Sequence, residues 1–173
     1  MRKSLGLLFG LALLGGCGAE EEPPRKADDD AKDVAMVERL NQPPFRPIRP
    51  EPFVTDDVDR YDLARDGCMF RPGTKPDEAP LFIAQKDRGY LKLGGKLLPL
   101  AVKSGSAELP SGAHSTYVGT SNWVELVAQA GESGKALDGS ETWPSRLVIH
   151  DANERVAFDS LGQVACAPSG TQD

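Results

Sequence analysis

PLFIAQKDRGYLKLGGKLLPLAV, residues 80–102, is the stretch whose reading decides the fold class. Residues 80–85 form an apolar run of strand-forming side chains, and Lys86-Asp87-Arg88-Gly89 behind it has the chemistry of a turn. Residues 90–93 and 96–102 flank Gly94-Gly95. A glycine pair between two apolar runs signals a hairpin, because tight hairpin turns need positive φ and glycine adopts it without a steric penalty. Pro99 stands inside the second run; having no N–H to donate, it marks an edge or bulged strand.

The same texture continues toward the C-terminus. Residues 115–118 and 123–129 flank a second hairpin signal at 119–122, and residues 130–143 read as a long polar loop with three glycines. Short runs at 146–150, 155–159 and 163–167 are separated by turn residues at 151–154 and 160–162. About eight short strands at close spacing, with no long helical period, predict an all-β domain over residues 56–168: a small antiparallel barrel or sandwich. Residues 169–173 are left as a flexible tail.

Residues 17–55 read as a Pro/acid-rich tether. Positions 18–52 hold seven of the 14 prolines and the acidic blocks 20–22 and 28–30, a composition that disfavours a packed core. One short helix is expected at 31–40, with Asp30 as N-cap, Val34, Val37 and Leu40 near one face, and Pro43 as the stop. The proline-rich stretch 43–52 suits an extended spacer of about 3.1 Å per residue.

Arg2 and Lys3 precede an apolar run at 5–14, half the ~20 residues a spanning helix needs, and the run ends in Leu14-Gly15-Gly16-Cys17. This N-terminus resembles the lipobox signal peptide of bacterial lipoproteins. The resemblance implies that residues 1–16 are removed, and that Cys17 becomes an acylated first residue holding the protein to a membrane through its chains. Gly18 lacks the aspartate that retains such proteins in the inner membrane, so the resemblance implies an outer-membrane anchor facing the periplasm. Loss of residues 1–16, with Arg2 and Lys3, takes the formal charge from −6 to −8. That balance argues against a nucleic-acid partner, which calls for a basic patch.

With Cys17 assigned to lipid, Cys68 and Cys166 remain. An exported compartment favours pairing them; the alternative is a reactive thiol beside a histidine. The only histidines are His114 and His150, and neither has the i, i+4 partner of a helical zinc site. Ser111 or Ser115 with His114 and Asp151 make a hydrolase triad on paper, without the Gly-x-Ser-x-Gly elbow. The segment 131–136 lacks the spacing of a phosphate loop, and Asp57, Asp59 and Asp62 lack the glycine and closing glutamate of a calcium loop, leaving a solvated acidic entry. The expectation is therefore a domain with no cofactor, no metal and no catalytic residues. Recognition is expected on loops near 112–122 and 130–143, through His114, Tyr117, Trp123 and Trp143. The competing placement turns Tyr117 and Trp123 into the barrel.

Ser111-Gly112-Ala113, with Trp123 ten residues on and cysteines at 68 and 166, resembles the membrane-bound inhibitors of c-type lysozyme over residues 66–167. That resemblance implies a lipid-anchored eight-stranded barrel and carries over Ser111 as a contact residue. The family continues with a cation and a tyrosine where this chain has His114 and Ser115, and places a lysine where it has Glu125. The reading that follows is a lipid-anchored envelope protein with a non-catalytic domain for binding or envelope structure, with an envelope protein as its partner. A lysozyme-inhibitor-like protein is the first alternative, and an enzyme with an unrecognised site the second.

Overall fold

A computed structural model describes residues 27–63, 67–75, 77–135, 137 and 139–168. The signal segment 1–16, Cys17 and the tail 169–173 lie outside the described residues. The chain divides into two compact units, residues 1–44 and 45–173.

In the first unit, α1 (Ala27–Asn41) begins four residues before the expected helix, so Asp28, Asp29 and Asp30 occupy its first turn and Asp30 is not the N-cap. Three carboxylates there meet the partial positive charge of the helix N-terminus, and Arg39 meets the opposite end. Val34, Met36, Val37 and Leu40 are all more than half exposed.

The second unit is a closed eight-stranded antiparallel barrel with one extra strand and a short helix, α2 (Thr55–Arg60). The strands are β1 (Cys68–Pro72), β2 (Phe82–Ala84), β3 (Arg88–Leu93), β4 (Lys96–Val102), β5 (Thr116–Val118), β6 (Asn122–Ala128), β7 (Gly134–Lys135), β8 (Glu141–Asp151) and β9 (Val156–Cys166). Each barrel strand pairs with its neighbour in sequence, except that β6 passes directly to β8 and β9 returns to β1 to close the ring. The extra strand β7 pairs with the start of β8.

Alternation places Phe70, Phe82, Leu91, Leu100, Tyr117, Val124, Leu147, Ile149 and Val164 inside, all 3% exposed or less, so side chains fill the barrel. Cys68 and Cys166 face each other in the β1–β9 register with their sulfurs at bonding distance, tying the first strand to the last. Gly94-Gly95 turns β3 into β4 as expected, with φ of 56° and 72°.

Three expectations are corrected. The runs 155–159 and 163–167 form one strand: Ser160-Leu161-Gly162 continues β9 instead of turning. A Cβ on Gly162 would lie 2.0 Å from the Arg71 carbonyl oxygen and 2.7 Å from Phe70 Cζ, so this glycine serves the close approach of β1. The polar loop 130–143 is shorter than expected, because β8 already begins at Glu141.

The third correction is the boundary of the domain. Residues 45–55 belong to the barrel unit and not to a tether. Ile48 N–H donates to the Ala157 carbonyl, Glu51 N–H to Lys92 and Phe53 N–H to Pro80, each at 2.9 Å. The Glu51 carboxylate also accepts from Gly95 N–H in the β3–β4 turn. Extended proline-rich backbone keeps its N–H and C=O groups free, which suits it to lie along strand ends. Phe53, Leu63 and Ile83 then form a second buried cluster on the outer face of β1–β4, with Met69, Tyr90 and Leu97 packed against it. Phe53→Leu is expected to cost about 1 kcal/mol, read as a lower denaturant midpoint at unchanged m. A tether residue would leave the midpoint where it is.

Candidate binding surfaces of the barrel

The up-and-down order puts the turns β3–β4, β5–β6 and β8–β9 at one end of the barrel. The β2–β3 and β4–β5 connections and the cysteine pair are at the other. The cysteine end is closed by the loop after β4. Ser111 stands there at φ 62°, ψ 20°, and its hydroxyl donates to the Ala167 carbonyl. Ala113 is fully buried below it. Ser111 is therefore turned toward the C-terminal strand.

Tyr117 is corrected from surface to core. It is 0% exposed; its hydroxyl donates to the Gln85 carbonyl and accepts from His114 N–H, both at 2.7 Å. The His114 ring lies against it edge-on, half-buried, with Nδ1 buried and unpartnered among the described residues. Burial pushes the Tyr117 phenol up to about 12. The folded state thus holds this proton more tightly than the unfolded chain, whose tyrosine titrates near 10. Its contribution to stability is complete below pH 10 and is lost as pH rises from 10 through 12. Spectrophotometric titration should show one phenolate that Tyr117→Phe removes, appearing near pH 12. Tyr117→Phe itself should cost about 2 kcal/mol, because it removes a partner from both the Gln85 carbonyl and the His114 N–H, two half-buried residues.

Trp143 is likewise not a loop residue: it lies in β8 and packs against the barrel core. Trp123 faces outward, opposite His150 in the β6–β8 register. The two rings stack 3.7 Å apart at 4°, and Lys103 Nζ sits 4.4 Å from the Trp123 ring centroid. A parallel ring at that distance fills one face of the indole and leaves the other to the ammonium, a cation–π contact. Both faces of Trp123 are engaged within the protein, so it is a clasp joining Lys103, just after β4, to β6 and β8, and not an open stacking platform.

The paper triad does not assemble. Asp151 is the last residue of β8, at the end of the barrel opposite the His114 loop. Its carboxylate accepts from Arg155 Nε at 2.8 Å and from the backbone of Asn153 and Arg155, which holds it below the usual carboxylate range. Asp57 is not a merely solvated acid. Lys92 Nζ donates to it at 2.6 Å and Val54 N–H at 3.1 Å, lowering its pKa and fastening α2 to β3. Among the described residues no three His, Cys, Asp or Glu side chains are grouped to hold a metal.

An open cleft lies on the outer wall of the unit. Tyr61 at the end of α2, Arg88 and Tyr90 on β3, and Lys96, Leu97 and Pro99 at the β3–β4 hairpin line a cleft of about 610 Å³. Tyr61 is 48% exposed. Arg88 and Lys96 stand at opposite ends of the hairpin, about 17 Å apart along the strand. Neither has an acidic partner among the described residues, whereas Lys92 between them is paired with Asp57. The cleft thus holds two tyrosines and a cation at each end, with the Glu51 carboxylate on Gly95 N–H beside Lys96. Arg88 opens β3 and does not belong to a turn at 86–89; its alternation with the buried Gly89 and Leu91 is the sequence signal for it. In comparisons with protein-family models, curated proteins and solved structures, nothing matched this chain.

Proposed function

We propose that the protein is a lipid-anchored envelope protein, held to the outer membrane through Cys17 and facing the periplasm. On this reading its barrel is a non-catalytic binding domain that presents the β3–β4 wall to a protein partner. The observation that carries the binding role is the outer cleft, where Tyr61 and Tyr90 lie with the cations Arg88 and Lys96, neither of them in an ion pair among the described residues. The half-exposed Tyr61 beside the partly buried Tyr90, flanked by two cations, suits a partner with acidic side chains: the tyrosines supply rigid contact area and the cations supply orientation and on-rate. The anchor rests on the sequence Leu14-Gly15-Gly16-Cys17, and two or three acyl chains meet the requirement for stable attachment. Cys17→Ala is expected to move the protein from the detergent phase to the aqueous phase in phase partitioning. Retention with detergent would contradict the anchor. Arg88→Ala with Lys96→Ala is expected to reduce partner capture after crosslinking by tenfold or more without changing the melting temperature.

A lysozyme-inhibitor role is a second reading, favoured by the eight-stranded closure and by the placement of Cys68 against Cys166. Two features weigh against it: Ser111 spends its hydroxyl on Ala167, and Glu125 puts an anion on the outward face beside Trp123. Inhibition of a c-type lysozyme at nanomolar concentration would favour this role over the first.

A further inference from the structure

The barrel has one thin seam. β4 and β5 are joined by two residue pairs, Ala101–Val118 and Val102–Tyr117, while β3–β4 has six and β8–β9 ten. β5 stops at Val118, and β4 overhangs it by the residues 96–100. A cavity of about 290 Å³ opens in that gap, between the overhang and the β5–β6 turn. Its floor includes Leu91 and Leu100, which are 0% and 3% exposed and belong to the barrel core. Leu98, Pro99 and Val118 form the walls, and the turn residues Thr120, Ser121 and Asn122 the rim. No charged side chain lines it among the described residues.

We propose that this slot binds a short uncharged aliphatic chain, an alkyl or acyl tail of about ten carbons or fewer, with a hydrogen-bonding end at the Thr120–Ser121–Asn122 rim. Pro99 borders both this slot and the outer cleft, but the slot opens on the β5 side of β4 and does not rest on the proposed partner. Three physical points select this occupant. The volume lies at the lower limit of ligand pockets, about 300 Å³, which leaves room for one slender chain and not for a sugar or a peptide side-chain cluster. An apolar floor without charges or unpartnered buried donors favours hydrocarbon over water. An added β-strand is disfavoured by Pro99. The two-residue turn closes on the hydrogen-bonded pair Leu93–Lys96, so alternate residues Leu98 and Leu100 bond to β3 and Pro99 faces the open edge. With no N–H there, the edge cannot complete a ladder with an incoming strand.

The test uses the full chain carrying Cys17→Ala, so that no acyl group of its own competes, and 1-decanol as the probe, its binding read by isothermal titration calorimetry. Saturable binding at a single site is expected. Ala101→Phe, an exposed position at the mouth, should weaken decanol binding at least tenfold at unchanged melting temperature. Leu98→Gln, which places an amide in the wall, should do the same. Binding that is absent, that does not saturate, or that persists equally in Ala101→Phe would overturn the proposal. None of these outcomes bears on partner capture, which is read separately at Arg88 and Lys96.

Discussion

Replacing Gly162 with alanine is expected to destabilise the barrel by at least about 3 kcal/mol, more than any surface substitution in the chain. The added Cβ would meet the Arg71 carbonyl oxygen at 2.0 Å and Phe70 Cζ at 2.7 Å. The first contact is with backbone of a paired strand, so no rotamer change relieves it, and β1 must separate from β9 along a five-pair register. Overpacking in a core costs about 1–3 kcal/mol when side chains can adjust, and more when backbone must move. For a domain of this size the loss corresponds to about 10 °C or more in melting temperature. If Gly162 were the turn residue its sequence context suggests, alanine would be tolerated to within about 1 kcal/mol.

Loss of the Cys68–Cys166 link is the second large effect. The cysteines are 98 residues apart in sequence, and a cross-link over about 100 residues removes up to ~4.7 kcal/mol of loop entropy from the unfolded chain, with 2–5 kcal/mol the usual range. Both are buried, at 0% and 1% exposure, in the strand pair that closes the barrel. The double replacement Cys68→Ala, Cys166→Ala should therefore lower stability by about 3–4 kcal/mol. Protein made in an oxidising compartment should yield a single linked peptide pair in mass spectrometry, and its melting temperature should fall on reduction by about 10 °C. Free alkylation of both cysteines without reductant would contradict the link.

The parts of this fold that could be read from sequence are those encoded locally. Gly94-Gly95 between alternating runs specifies the β3–β4 hairpin without reference to any other strand. Pro99 suggests an edge or bulged strand, whereas β4 pairs with both β3 and β5 and only its first residues overhang β5. What was not legible depends on partners far along the chain. Gly162 resembles a turn glycine until β1, some 90 residues earlier, is laid across it. β1 itself, CMFRP, is short and ends in proline, so its alternation of buried Cys68 and Phe70 is too brief to register. Residues 45–55 look like spacer because proline dominates their composition, yet Phe53 is 2% exposed beneath the wall that β1–β4 provide.

The candidate site divides along the same line. Tyr117 and Trp123 both alternate within strands, and the sequence leaves their faces open; the register decides, sending Tyr117 inward and Trp123 outward against His150. Trp143 reads as a loop residue because the glycines at 131, 134 and 139 obscure the start of β8. The cleft between Arg88 and Lys96 needed Tyr61 from α2, a contribution that no local pattern announces.

The most direct test of the binding role is site-specific photo-crosslinking in the living cell, comparing two outward positions. A benzophenone side chain at Leu97 sits in the cleft, and one at Leu161, which is 65% exposed on β9, samples the barrel wall away from it. The account predicts a discrete protein adduct from position 97, lost when Arg88 and Lys96 are alanine, and no such adduct from position 161. Equal adducts from both positions, or an adduct at 97 that survives removal of both cations, would contradict it.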